Sequence, residues 1–177
     1  IRAGSSQDST STTSDVGPIT FTNVTFENVG TAIRHGSGAG TGLTLKNVDI
    51  TRADEACLKA PDNSVVTISD STFTLCNMDG DATLGSIVMS SGGELDLSNV
   101  DIIDSGYNAI YGNNIDVLSM DDVTISATGG SPTRQAGAVF EMASTAKMDT
   151  ADINDLEVSA PFTDGLMNLN AEVSYSL

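Results

Sequence analysis

Apolar and polar residues alternate in six segments of eight residues, and all six segments follow one template. The first, third, sixth and eighth places are apolar, and the fifth place is Asn or Asp. Ser71, at a sixth place, is the single departure from the apolar pattern. Alternation with a period of two is typical of β-strands. The segments are ITFTNVTF (19–26), LTLKNVDI (43–50), VTISDSTF (66–73), LDLSNVDI (95–102), LSMDDVTI (118–125) and ADINDLEV (151–158).

The Asn or Asp at the fifth place predicts a corner in the chain. The apolar side chains before and after it can face one interior only if the backbone bends there, and Asn and Asp tolerate the left-handed conformation that such a bend requires. These residues recur at intervals of 24, 23, 29, 23 and 33 positions. A period near 23 with longer insertions indicates a solenoid. We call these residues the ladder residues: Asn23, Asn47, Asp70, Asn99, Asp122 and Asp155.

A second apolar phrase follows each ladder residue and predicts a third short strand. Three strands per coil, stacked about 4.8 Å apart, predict an all-β fold. The predicted fold is a parallel β-helix of about six coils. It is expected to be right-handed, because crossover connections between parallel strands are almost always right-handed. One interior column should contain Phe21, Leu45, Ile68, Leu97, Met120 and Ile153.

The ladder residues give the sequence a resemblance to the right-handed parallel β-helix superfamily, the pectin-lyase-like fold. Members of that family carry an asparagine ladder in the short turn between the second and third strands. The resemblance runs from about residue 19 to 177 and implies the fold rather than one function, since the family includes lyases, hydrolases, adhesins and surface proteins. Residues 1–18 form a Ser/Thr-rich segment, which is either a tail or part of a preceding coil. Polar caps are not apparent at either end, so we expect the chain to be a segment of a longer protein.

The charge of the chain limits its partners. Acidic residues outnumber basic ones by 24 to 7, which gives a net charge of −17. Nucleic acid and anionic lipid are therefore not expected as partners, because both require clustered Lys and Arg. No apolar run is long enough for a transmembrane helix. Cys57 and Cys76 lack the spacing of a zinc site, and they are either a disulfide or two buried thiols.

Alignment of the third strands predicts a column of basic and polar side chains on one outward face. Its members are Arg2, Arg34, Lys59, Tyr111 and Glu141, with Val88 or Met89 at the intervening place. Arg34, Lys59 and Tyr111 are candidate residues for binding an anionic glycan, because Arg binds carboxylate and sulfate through two hydrogen bonds. The alternative is that these cations pair with acidic neighbours, Asp54 and Glu55.

The two longest insertions, 74–85 and 126–137, are expected to project from one edge of the solenoid. The first contains NMDGDAT, in which Asn77, Asp79 and Asp81 alternate around a glycine. Oxygen ligands in this arrangement make Asp79 and Asp81 a candidate calcium site, although the full spacing of a calcium-binding loop is absent. The alternative is an acidic turn without metal, in which case the chain has no cofactor.

The favoured function is that of a non-catalytic module in a secreted or cell-surface protein, with a structural, surface-layer or adhesion role. Its expected partners are polysaccharides or other surface proteins. The alternative is a polysaccharide lyase or hydrolase acting on an acidic glycan. The family resemblance implies catalytic phrases for polygalacturonase-like members, G-H-D and R-I-K, and neither occurs in this sequence. No catalytic residue is assigned.

Overall fold

The computed structural model describes residues 2–3, 17–35, 42–60, 62–90, 92–128, 137–143, 148–160, 162 and 164–168. Within these ranges the chain is all-β, without a helix. All strand pairs are parallel, and the strands form two sheets. Successive strands alternate between the two sheets, so that the chain returns to each sheet one strand further along. This arrangement is compatible with a parallel β-helix.

The long-strand sheet has six members, each 9–12 residues long. Its spatial order follows the chain, from β2 at one edge to β12 at the other. The strands are β2 (Ile19–Val29), β4 (Gly42–Ala53), β6 (Ser64–Thr74), β8 (Gly93–Ile103), β10 (Val117–Ser126) and β12 (Thr150–Val158).

The short-strand sheet has seven members, each 2–5 residues long. The strands again lie in chain order. They are β1 (Arg2–Ala3), β3 (Ile33–His35), β5 (Leu58–Ala60), β7 (Gly85–Met89), β9 (Asn108–Gly112), β11 (Ala138–Met142) and β13 (Gly165–Asn168). β1 lies in the N-terminal Ser/Thr-rich segment and pairs with β3, whereas residues 4–16 lie outside the described part.

The predicted interior column is confirmed by the register of the long-strand sheet. Phe21, Leu45, Ile68, Leu97, Met120 and Ile153 are partners on successive strands. The four from the inner strands are at most 1% exposed, while Phe21 and Ile153, on the edge strands, are half-buried. Burial of a large apolar side chain stabilises a fold by about 1.5–3 kcal/mol. Burial of this column therefore stabilises the stacking of neighbouring strands.

The six ladder residues adopt the left-handed backbone that the sequence predicts. Their φ angles lie between 48° and 57°. Each interrupts the strand register: Thr22 pairs with Lys46 and Val24 with Val48, but the ladder residues between them are skipped. Between β4 and β6 the next pair, Val48 and Ser71, is skipped as well. Side-chain amides link neighbouring strands, from Asn47 Nδ2 to Asn23 Oδ1 at 2.7 Å and from Asn99 Nδ2 to Asp70 Oδ1 at 2.9 Å.

The expectation of three short strands per repeat differs from the structure in one respect. The first two predicted strands form one continuous long strand, because pairing with the neighbouring strands resumes one or two residues after the ladder residue. Each repeat therefore contributes one long and one short strand. The bend is confined to a single left-handed residue, which is too short an interruption to end the strand.

A second left-handed corner follows five residues after the ladder, and the sequence did not predict it. Its members are Asn28, Arg52, Leu75 and Asp104, with φ between 53° and 65°. Arg and Leu rarely adopt this conformation. Backbone hydrogen bonds support it, including Leu75 N to Ile103 O at 2.9 Å and Ala53 N to Leu75 O at 3.1 Å. Pairing with the neighbouring repeat thus overrides local preference at this corner.

Replacing Asn99 with Leu should lower the free energy of unfolding by about 1–3 kcal/mol, because the hydrogen bond to Asp70 is lost and a bulky apolar side chain replaces a residue that suits left-handed backbone. Urea unfolding measures the change. The matched control is Ser98→Leu at the preceding exposed, regular strand position. Equal effects of the two replacements would contradict a special role for the ladder.

Candidate functional site

The short-strand sheet aligns the positions that the sequence placed in one column. Arg2 pairs with Arg34, Arg34 with Lys59, and the column continues through Val88 to Tyr111 and Glu141. The ambiguous place is thus occupied by Val88. Neighbouring positions in such a sheet lie about 4.8 Å apart. We call Arg34, Lys59, Val88, Tyr111 and Glu141 the face column.

Lys59 forms an ion pair with Glu55, at 2.6 Å between Nζ and Oε2. The Lys59 side chain is 17% exposed and that of Glu55 is 47% exposed. Thr31 Oγ1 also donates to Glu55 Oε2, at 2.9 Å. The expectation that the cations pair with acidic neighbours therefore holds for Lys59, whose partner is Glu55. Arg34 is exposed and lowers the pKa of Glu55 through its charge.

The pKa of Glu55 is lowered by this arrangement. The hydrogen bond from Lys59 is the largest cause, and the hydrogen bond from Thr31 is the next. Burial opposes them with a smaller effect that raises the pKa, and the charges of Lys59 and Arg34 lower the pKa by less again. Glu55 is therefore ionised at neutral pH and keeps a negative charge beside the two cations of the face column.

Tyr111 is half-buried in the face column, and its pKa is raised. Burial is the main cause, and the negative charges of Glu141 and Asp81 add to it. The phenol therefore stays protonated at neutral pH and retains a donor and an acceptor for a polar ligand. Asp81 lies in the loop after β6, so its effect places that loop near the face column.

Two buried asparagines hold the backbone of the loop between β6 and β7 through side-chain hydrogen bonds. The sequence did not predict this role for either of them. Asn77 and Asn108 are both 0% exposed. Asn77 Nδ2 donates to Asp81 O at 2.9 Å and to Leu84 O at 3.2 Å, while Asn77 Oδ1 accepts from Asp81 N at 3.0 Å. Asn108 Nδ2 donates to Ala82 O and to Leu84 O, both at 3.0 Å. Fully paired buried amides of this kind fix a loop in one conformation.

The fixed loop also depends on Gly106. A β-carbon at this position would lie 1.6 Å from the backbone oxygen of Asn77, so only glycine fits between the loop and the following repeat. Gly106 N donates to Cys76 O at 2.8 Å. Buried serines continue the polar network, with Ser86 Oγ donating to Ser105 Oγ at 2.9 Å. The second insertion, 126–137, lies largely outside the described residues, so its predicted projection stays a prediction.

The candidate calcium ligands lie in this loop with different surroundings. Asp79 is exposed. Asp81 Oδ1 accepts from Thr83 N at 2.8 Å and from Thr83 Oγ1 at 2.7 Å, and these bonds lower the pKa of Asp81. Within the described ranges, no group of three or more His, Cys, Asp or Glu side chains is placed to hold a metal ion. The calcium site stays a prediction.

Cys57 and Cys76 form a disulfide bond in the structure. Their Cα atoms are 5.4 Å apart, and both residues are 0% exposed. Cys57 directly precedes β5, and Cys76 begins the fixed loop after β6. The bond therefore joins two consecutive repeats beside the face column.

Comparisons with protein-family models, curated proteins and solved structures found no match to this chain. Among the residues described above, no helix is long and apolar enough to cross a membrane. The resemblance to the pectin-lyase-like fold therefore rests on the repeat, the ladder and the two parallel sheets.

Replacing Lys59 with Met should raise the pKa of Glu55 towards the usual value of 4.5, because its strongest hydrogen bond and nearest positive charge are lost. In the wild type the pKa is lowered in the folded state. The ion pair therefore stabilises the fold at any pH above the pKa of Glu55 in the unfolded chain. This stabilisation is lost as the pH falls through the lower pKa of Glu55 in the folded chain. An NMR titration of the Glu55 carboxyl carbon measures this. Lys46→Met, an exposed cation on β4, is the control; an unchanged Glu55 titration in the Lys59 variant would contradict the ion pair.

Proposed function

We propose that the chain is a right-handed parallel β-helix of the pectin-lyase-like kind. Three observations support this fold: the strands alternate between two parallel sheets, the sheets keep chain order, and all six ladder residues are left-handed. The right-handed sense follows from the usual chirality of parallel crossovers. Each long strand and the short strand after it then belong to one coil.

The function that this fold serves is a non-catalytic structural or adhesive module in a secreted or cell-surface protein. The single observation that carries the proposal is the regular register across all six long strands, which stacks the interior columns from β2 to β12. Such a stack is a rigid support, and solenoids use it to present extended surfaces. The buried disulfide favours an oxidising compartment, because disulfides seldom persist in the cytosol.

The ion pair of Lys59 argues against the lyase or hydrolase alternative at the face column. A general base must direct its nitrogen at the proton that it removes, within hydrogen-bond distance. The Lys59 ammonium instead donates to Glu55 Oε2, at 2.6 Å. Lys59 is thereby better suited to holding a ligand than to removing a proton.

Glycan binding at the face column is a second candidate function, favoured by the alignment of Arg34, Lys59 and Tyr111 on one sheet. Arg34 and Lys59 offer hydrogen-bond donors, and the protonated Tyr111 phenol adds another. Glu55, Asp81 and Glu141 offset the positive charge around them. A strongly anionic sugar would thus meet two cations but also three carboxylates, which would repel it. Neutral glycans therefore belong in any search for a ligand.

The test is a screen of the purified chain against uronate, sulfated and neutral glycans, with and without Ca²⁺, for both binding and product release. We expect no release of unsaturated uronides. If a glycan binds at the face column, the double change Arg34→Ala with Lys59→Ala should abolish binding, while Lys46→Ala on the other sheet should not. Ca²⁺-dependent release of unsaturated uronides would overturn the non-catalytic proposal.

A further inference from the structure

The first ladder residue combines two features that no other ladder residue has. Asn23, Val24 and Thr25 form the acceptor sequence Asn-x-Ser/Thr for N-linked glycosylation. Asn47 and Asn99 are each followed two places later by Asp. Where Thr occupies that place, at Thr72 and Thr124, the ladder residue is Asp rather than Asn. Among the ladder positions, the sequon is thus complete only on β2.

The structure also distinguishes Asn23 by its hydrogen bonds. In the ladder pairs that form, the upstream residue accepts and the downstream Asn donates, as Asn47 Nδ2 does to Asn23 Oδ1. Asn99 Nδ2 likewise donates to Asp70 Oδ1. Asn23 is at the end of this series, and within the described part of the chain its own Nδ2 donates no hydrogen bond.

Asn23 is also accessible. It is exposed, as is Thr25, and it lies at a left-handed bend with φ of 57°. β2 is the edge strand of the long-strand sheet, and no described strand pairs with its other side. A bulky group on Nδ2 would therefore leave the bend towards solvent without separating two paired strands of the sheet.

We propose that Asn23 is an N-glycosylation site. The co-reactant is an oligosaccharide carried on a polyprenyl diphosphate. Asn23 Nδ2 forms a bond to C1 of the first sugar, the bond from C1 to the diphosphate oxygen breaks, the lipid diphosphate leaves, and one amide proton passes to a base of the transferase. The modified amide keeps one N–H and its Oδ1, so the hydrogen bond from Asn47 survives. The inference rests on the secreted location proposed above.

The test is expression of this chain behind a secretory leader in a host that glycosylates such sequons, followed by intact-mass and peptide mass spectrometry. We expect the wild-type chain to carry one oligosaccharide on Asn23, which peptide N-glycosidase removes with conversion of the acceptor amide to a carboxyl. Thr25→Ala should abolish the modification, and Thr25→Ser should retain it. Thr25 is exposed, so both variants should keep the fold.

The positive control is Asp81→Asn, which creates a second sequon ending at Thr83 in the exposed part of the loop after β6. Occupancy at position 81 together with an unmodified Asn23 would overturn the proposal, because the chain would then have met the transferase without reacting at Asn23. The leader fixes the route of the chain, so this result would leave the proposed location untouched. Analysis of the protein from its natural source tests the location separately.

Discussion

Replacing Phe73 with Ala is expected to lower the free energy of unfolding by about 3–5 kcal/mol, the range for a fully buried phenylalanine. Phe73 is 0% exposed and lies in β6, between two other strands of the long-strand sheet. Its neighbours in register are Ile50 and Ile102. Removal of the ring leaves a cavity between them that backbone hydrogen bonds on both sides keep from collapsing. Urea unfolding at constant salt measures the loss.

The matched control is Phe26→Ala in the same side-chain column. Phe26 lies on β2, the edge strand, where it pairs with Ile50 of β4 and is only half-buried. Its replacement should destabilise the fold clearly less than that of Phe73, because part of its surface already meets water. Equal losses for the two variants would contradict the burial and register described for the long-strand sheet.

Replacing Cys57 and Cys76 together with Ala is expected to lower the free energy of unfolding by about 2–5 kcal/mol. The bond closes a loop with a sequence separation of 19 residues, and its removal increases the freedom of the unfolded chain. The two sulfurs also leave fully buried positions, so packing is lost as well. Denaturant unfolding of the oxidised wild type and the double variant measures the difference.

Reduction of the wild type before unfolding separates the two contributions. The reduced chain keeps both sulfur atoms but lacks the covalent bond, so it should fall between the oxidised wild type and the double variant. A double variant as stable as the oxidised wild type would contradict the disulfide as a stabilising bond between consecutive repeats.

The sequence predicted the parts of the fold that depend on side-chain alternation. The column through Leu45, Ile68 and Leu97 could be predicted because apolar positions repeat with a period of two on both sides of each ladder residue. The ladder could be predicted because Asn and Asp adopt left-handed backbone more readily than other residues with a side chain. The second corner could not, since Arg52 and Leu75 carry no turn signal and are held there by bonds to neighbouring repeats.

The candidate site was predictable to a similar extent. Strand alignment placed Arg34, Lys59 and Tyr111 in one column, and Glu55 was already a candidate partner for the cations. The role of Asn108 in fixing the loop was not predictable, because it depends on Ala82 and Leu84, 26 and 24 residues away. Contacts of that kind arise from the stacking of repeats and leave no local pattern in the sequence.

Spin-label distances across the long-strand sheet test the proposed β-helix most directly. The outward-facing positions 20, 96 and 152 lie in one column on β2, β8 and β12. Both native cysteines are in the disulfide, so labels on Thr20→Cys with Asp96→Cys, and on Thr20→Cys with Asp152→Cys, are specific. Three and five strand spacings predict backbone separations of about 14 and 24 Å, so the second label pair should be about 10 Å further apart than the first. Equal distances, or a shorter distance to position 152, would contradict a stack of repeats in chain order.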